Sequence, residues 1–185
     1  MSLDLIIGPM FSGKTTELLR RLYTLSSINK KCIYINSQLD DREDANFSSH
    51  NPSITTINVD SMKVNKFDDT LLNTISNYDV IGIDESQLFN DDIVKFVLHI
   101  VDTLNKKVIM CGLNSDFKRE KFGYILDLVP HCDTIIKLYP YCTRCSKKGL
   151  IIKALFSKRI SGGDDCVIDV GYDNYVPLCR TCYNN

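Results

Sequence analysis

The chain has 185 residues, 44% of them hydrophobic and 24% charged, which suits one packed core with room for a small appendage and excludes a disordered or collagen-like chain. Twenty-two Lys and Arg against 23 Asp and Glu leave a formal net charge of −1, so nothing global draws the protein to nucleic acid or an anionic membrane. No apolar run approaches the roughly 20 residues that span a bilayer, and Met1-Ser2-Leu3-Asp4 lacks the basic start of a secretory signal, so a cytoplasmic protein is expected.

Residues 3–7 form a short apolar run that stops at Gly8-Pro9, the pattern of a buried strand ending in a loop. Over residues 14–27, Leu18, Leu19, Leu22 and Leu25 recur at helical spacing, with Thr15, Thr16 and Glu17 suited to a first turn. Residues 32–35 read as a second strand, residues 40–52 as polar and turn-rich, and residues 54–59 as rich in β-branched side chains. Residues 68–76 are weakly helical, and residues 78–83 form a further buried strand running into Asp84-Glu85.

The clearest amphipathic helix is predicted over residues 91–105, where Ile93, Phe96, Val97, Ile100, Val101 and Leu104 fall at i, i+3, i+4, i+7, i+8 and i+11. Strands follow at residues 108–113 and 134–138. Strands alternating with helices predict an α/β fold with a mostly parallel sheet. After Tyr139 the pattern loses long helices, so the chain is expected to divide into an α/β domain over residues 1–138 and a small metal-bound lobe over residues 139–185.

Gly8-Pro9-Met10-Phe11-Ser12-Gly13-Lys14-Thr15 fits G-x-x-x-x-G-K-[ST], a P-loop. Backbone N–H groups of such a loop cradle phosphates at a helix N-terminus, its Lys reaches the β- and γ-phosphates, and its Thr hydroxyl ligates Mg²⁺. The loop follows a predicted strand and opens a predicted helix, as that chemistry requires. A second carboxylate ligand for the metal belongs at a neighbouring strand end, where Asp84 stands, and Glu85 beside it is placed to act as a base.

Cys142-x-x-Cys145 and Cys179-x-x-Cys182 supply four thiolates that can close tetrahedrally on a structural Zn²⁺, with redox or unmetallated thiols as the alternative. Cys32, Cys111, Cys132 and Cys166 stand among apolar neighbours and are expected as buried small hydrophobes. His50, His99 and His131 form no ligand-spaced cluster and read as structural. Phe117 and Phe122 lie just beyond a strand's C-terminal end, where ligands bind in open α/β sheets.

Several segments together resemble the type II thymidine kinases, cytosolic enzymes with a P-loop (RecA-like) domain and a zinc lobe. They are the P-loop through Glu17-Leu18, Asp40-Asp41-Arg42, Ile81-Gly82-Ile83-Asp84-Glu85-Ser86-Gln87-Leu88-Phe89, Phe122-Gly123 and Cys179-Arg180-Thr181-Cys182-Tyr183. The resemblance spans nearly the whole chain.

It implies an ATP-dependent kinase that phosphorylates the 5′-hydroxyl of deoxythymidine. ATP would bind at Gly8, Pro9, Met10, Phe11, Ser12, Gly13, Lys14 and Thr15, with Asp40, Asp41, Arg42, Asp84, Glu85, Ser86 and Gln87 around it. Glu85 is the implied general base, with Lys14 and Arg42, or Arg159, offsetting charge on the transferring group. Thr15 and Asp84 would hold Mg²⁺.

Phe117 carries over as the residue stacking on the base, in a pocket lined by Met10, Phe89, Leu113 and Phe122. Ser157 stands near the thymine methyl, where the family usually has Thr. Cys166, Val167, Ile168, Asp169 and Val170, with Tyr175, would form a loop covering the base. A homotetramer, feedback inhibition by dTTP, and no nucleic-acid or membrane partner complete what the resemblance implies. The competing reading, a zinc-ribbon nucleic-acid-binding ATPase, needs a basic stripe, whereas residues 139–185 mix Arg144, Lys147, Lys148, Lys153, Lys158, Arg159 and Arg180 with Asp164, Asp165, Asp169 and Asp173, a balance that is only mildly basic.

Overall fold

Apolar runs too short for helices build the centre of the molecule. The computed structural model describes residues 1–40, 59–161 and 174–185. In chain order it holds β1 (Ser2–Ile7), α1 (Lys14–Ser26), β2 (Cys32–Ser37), β3 (Asp60–Val64), α2 (Asp69–Ile75), β4 (Val80–Ile83), α3 (Asp92–Leu98), β5 (Lys107–Gly112) and β6 (Thr134–Lys137). Among the described residues the six strands form one sheet in the order β3-β2-β4-β5-β1-β6, and every neighbouring pair is parallel.

Helices cover both faces, and strand alternation decides which side chains meet which helix. In β1, Leu3, Leu5 and Ile7 join Ile93, Phe96, Val97 and Ile100 on one face. Ile6 points the other way, into a cluster with Leu18, Leu19 and Leu22 of α1. Each fully buried Leu or Ile contributes about 1.5–3 kcal/mol relative to exposure. Asp4, a buried acid within this apolar run, faces the α1 side. Lys107 Nζ lies 2.6 Å from it, the Thr134 hydroxyl donates to it at 2.9 Å, and Arg21 lies 3.7 Å away.

The helix expected over residues 91–105 changes pitch part-way. It is α-helical to Leu98 and π-helical over His99–Thr103, with the Leu104 N–H reaching the His99 carbonyl at 3.1 Å. The wide turn still directs Ile100 and Val101 into the core. β3 was not expected; the edge strand Asp-Ser-Met-Lys-Val carries few apolar residues, and its pairing with β2, from Ile33 beside Asp60 to Ser37 beside Val64, supplies what its composition lacks. A 3₁₀ helix at Ile125–His131 was also unforeseen, its Ile125 and Leu128 buried at three-residue spacing. Among the described residues no helix is long and apolar enough to cross a membrane.

Beyond β6 the elements are short: α4 (Thr143–Ser146), the antiparallel pair β7 (Phe156–Arg159) and β8 (Tyr175–Leu178), and α5 (Arg180–Asn184). Cys142, Ala154, Leu178 and Cys179 make a small core there.

Gly82 of β4 lies under α1, and a Cβ at that position would stand 2.6 Å from Leu22 Cδ1 and 3.2 Å from Leu18 Cδ1. Both leucines are fully buried. Gly82→Ala is therefore expected to cost about 1–3 kcal/mol through overpacking. Denaturant unfolding reads the change, and an unaltered midpoint would show that α1 moves aside without cost.

Candidate active site

In a parallel sheet all the strands end along one edge, and the register here keeps those ends level. Ile7 pairs with Gly112, and Ile83 pairs with Met110. β5 lies between β1 and β4, so the loop after Ile7 and the carboxylates after Ile83 leave the same edge two strands, or about 10 Å, apart.

The loop after β1 curls tightly into α1. Gly8 has φ 154°, and a Cβ there would lie 2.4 Å from the Leu138 carbonyl oxygen, so only glycine fits against the end of β6. Lys14 is buried, its ammonium donating to the Pro9 carbonyl at 2.9 Å. Thr15 and Ser12 are half-buried beside it. The Met10 N–H donates to the Ser157 hydroxyl at 2.9 Å, which ties the loop to β7 across 147 residues.

Asp84 is almost fully buried and is held from three directions. Its Oδ2 accepts from the Tyr34 phenol at 2.7 Å, and its Oδ1 accepts from the Cys111 thiol at 2.7 Å and from the Glu85 N–H at 2.8 Å. Burial, followed by the neighbouring Glu85 charge, pushes its carboxyl above the usual carboxylate range, although these three donors pull the other way. Asp84 and buried Ser86 and Gln87 thus flank a half-buried Glu85.

Glu85 has φ 47°, a left-handed conformation that is uncommon for a side chain of this kind and that clusters at functional sites. Its bond to Asp84 Oδ1 and the Leu88 N–H on its carbonyl at 2.9 Å hold it there. Gln87 fixes the carboxylate: its Nε2 donates to Glu85 Oε2, while its Oε1 accepts from the Leu113 N–H at 3.0 Å. Gly123 (φ 64°) packs so close to Gln87 that a Cβ would stand 2.5 Å from the Gln87 Cα. Phe122-Gly123 thereby closes on the carboxylate loop. On the β2 side, buried Asp40 accepts from Asn36 Nδ2 at 2.7 Å.

Phe117, Ser157 and Tyr175 are all buried. The Arg159 guanidinium lies 4.5 Å from the Phe117 ring centroid and donates to the Tyr175 hydroxyl at 2.8 Å. Met10, Leu113 and Phe122 are half-buried, whereas Phe89 is buried in the main core against Phe67, with ring centroids 4.7 Å apart. Asp41, Arg42, His50, Cys166, Val167, Ile168, Asp169 and Val170 lie outside the described residues.

The ligand atoms of Cys142, Cys145, Cys179 and Cys182 all lie within 4.8 Å of one another. Cys145 Sγ is 3.8 Å from Cys179 Sγ and 3.6 Å from Cys182 Sγ. Tetrahedral Zn–S bonds of about 2.3 Å would separate sulfurs by about 3.8 Å, so the four thiols fit a zinc ion. Of the other cysteines, Cys32 and Cys111 are buried as expected, and Cys132 is only half-buried.

Tyr34, Cys111 and Tyr183 were not singled out as site residues from the sequence. Tyr34 had one signal, a phenol in a strand of otherwise fully buried side chains, which demands a buried partner. Cys111 offered only its place at the C-terminal end of β5.

The family described as thymidine kinase matches residues 1–183. The chain belongs to the thymidine kinase family. The thymidine kinase of Amsacta moorei entomopoxvirus is 39% identical over 186 residues, covering 100% of this chain and 99% of that protein. Thymidine kinase 1 of Dictyostelium discoideum is 37% identical and covers 99% of this chain and 78% of its own length. That of vaccinia virus strain Western Reserve is 37% identical, covering 98% and 96%. In this thymidine kinase family member the P-loop and the Asp84-Glu85 pair stand at one sheet edge, and the four-cysteine group stands at the end of the chain.

The Ser157 bond to the P-loop gives a direct test. Ser157→Val removes the acceptor that holds the Met10 N–H, so the KM for ATP is expected to rise about three- to tenfold, the scale of one lost hydrogen bond. Ser157→Thr keeps the acceptor and should stay near wild type. Equal ATP KM values for the Val and Thr variants would remove Ser157 from the ordering of the loop.

Proposed function

We propose that the protein transfers the γ-phosphoryl group of ATP to the 5′-hydroxyl of deoxythymidine, yielding dTMP for DNA precursor synthesis. The observation that carries this reading is a strained, hydrogen-bonded Glu85 on the same sheet edge as the P-loop, in a chain of the thymidine kinase family. The residues from Gly8 to Thr15 would cradle the triphosphate at the N-terminus of α1, where backbone N–H groups point outward. Lys14 would leave its Pro9 contact or share it with the β- and γ-phosphates. Thr15 and Asp84 would hold Mg²⁺, which when bound supplies charge neutralisation at the phosphates.

Glu85 would accept the proton of the 5′-hydroxyl as that oxygen attacks the γ-phosphorus in line. Gln87 orients the carboxylate by holding one of its oxygens, and Leu113 anchors Gln87 in turn. Arg42 would offset charge on the transferring group. The base would stack on Phe117, with Met10, Phe89, Leu113, Phe122, Ser157 and Tyr175 around it, and with residues 166–170 as the covering loop. Arg159, already seated against Phe117, adds a cation on the nucleoside side.

Several wider assignments belong to the same proposal. The chain divides into an α/β domain over residues 1–138 and a zinc lobe over residues 139–185, works in the cytoplasm, and uses neither nucleic acid nor membrane as a partner. dTTP would act as feedback inhibitor by combining the base pocket with the phosphate loop. A homotetramer is supported by β6, an edge strand paired to β1 alone among the described strands, with Ile135 exposed on it and Tyr141 and Ile151 exposed nearby in sequence.

Labelled ATP with Mg²⁺ and each nucleoside in turn tests the reaction, and thymidine should be the preferred acceptor. Glu85→Gln is expected to lower kcat by about 10² to 10⁴-fold while leaving ATP and thymidine binding nearly intact. A variant keeping more than half of wild-type turnover would remove the base assignment. Metal analysis should find about one zinc per chain, and chelation under reducing conditions should lower the melting temperature, since four thiolates on one ion contribute folding free energy. A metal-free chain with an unchanged melting temperature would overturn the zinc assignment.

A further inference from the structure

Tyr183 has no part in the chemistry above, yet it joins the four-cysteine group to the loop that carries Phe117. That loop is hydrogen-bonded within itself. Asp116 closes it, accepting from the Lys118 and Glu120 N–H groups at 2.8 and 2.9 Å, and the Asp116 N–H donates to the Glu120 carbonyl at 3.0 Å. Arg119 sits at φ 71°, with its own N–H on the Asp116 carbonyl at 3.2 Å. These internal bonds fix the shape of the loop and leave its placement over the sheet edge to external contacts.

Two hydrogen bonds tie it to α5. The Tyr183 phenol donates to the Phe117 main-chain carbonyl. Arg119 Nη1 donates to Asn184 Oδ1 at 3.3 Å, while its guanidinium stacks 4.9 Å from the Tyr183 ring centroid. Tyr183 is itself held from behind. The Phe156 ring lies 5.2 Å away, and Lys158 packs 5.5 Å from its ring centroid while donating to the Tyr183 carbonyl at 3.1 Å. Cys179 caps α5 and Cys182 immediately precedes Tyr183, so the cysteine group sets the orientation of the helix that carries the phenol.

We propose that Tyr183 is a positioning residue for the nucleoside: its phenol, on the metal-site helix, sets the height of the Phe117 backbone and with it the ring on which the base stacks. This rests on the reading of Phe117 as the stacking residue. Among the described residues the bonds and ring contacts of Tyr183 go to Phe117, Arg119, Phe156, Lys158 and Cys179 and to no P-loop residue, so its influence falls on one substrate and spares the other.

Tyr183→Phe keeps the ring for Arg119 and Phe156 and removes only the donor. The thymidine KM is expected to rise about three- to tenfold, the scale of one lost hydrogen bond, while the ATP KM and kcat change less than about twofold. Thymidine binding by equilibrium dialysis should weaken by the same factor. Arg119→Gln, which loses the stack on Tyr183 and keeps the phenol, should shift thymidine in the same direction and provides a second variant if the first fails to fold. A double-mutant cycle identifies the route: in a Phe117→Leu background Tyr183→Phe should have little further effect. An unchanged thymidine KM, equal rises for both substrates, or full additivity in the cycle would overturn the proposal. A wild-type protein that phosphorylates no nucleoside would instead overturn the kinase reading itself.

Discussion

A parallel sheet cannot turn back through a hairpin; each strand must be reached by a crossover, and every crossover returns the chain to the same starting side. That constraint governs the molecule. Because all six strands point one way, the loops after β1, β2, β4 and β5 leave from a single edge, and groups from Gly8, Asp40, Asp84 and Leu113 are assembled there without any long excursion. The level register of β1, β5 and β4 sets the separation between the P-loop and the carboxylates, and the close packing of α1 on Gly82 holds the helix that follows that loop.

Around that edge the polar groups hold one another in chains. Tyr34 and Cys111 hold Asp84, Asp84 holds the Glu85 backbone, and Gln87 joins the Glu85 carboxylate to Leu113. Inside the protein these bonds are stronger than they would be in water, and an orphaned member would cost more, so the network fixes one arrangement of the carboxylates. A left-handed Glu85 survives because its neighbours over-determine it. The short elements after β6 then reach back into the same region through Ser157, Arg159 and Tyr183, which makes the small cysteine-bearing core a support for the edge.

What could be read from the sequence was local. The P-loop, Asp84-Glu85 and the two cysteine pairs announce themselves by spacing, since their chemistry depends on residues close together in the chain. The buried strands and α1 were legible for the same reason, through short apolar runs such as residues 3–7 and the helical spacing of Leu18, Leu19 and Leu22. The edge strand β3 was not, because Asp60, Ser61 and Lys63 mask it, and neither was the widened turn after Leu98, which depends on how Ile100 and Val101 meet the sheet. Tyr34, Cys111 and Tyr183 escaped because their partners lie 50, 27 and 66 residues away. No pattern of one residue type in sequence reports such meetings. The positions of Arg42 and residues 166–170 rest on resemblance alone.

The place of β1 in the sheet has a consequence for synthesis. β1 is flanked by β5 and β6, both made after it, so its backbone N–H and C=O groups find both partners only when residue 137 has emerged. At about 5–20 residues per second this interval is on the order of ten seconds. Until residue 112 has emerged, Leu3, Leu5, Ile6 and Ile7 form an apolar segment with neither neighbouring strand to join. The nascent chain therefore passes through a stage in which a strand destined for burial beside the sheet's edge is an exposed apolar stretch, a natural hold for a chaperone that recognises short extended hydrophobic segments.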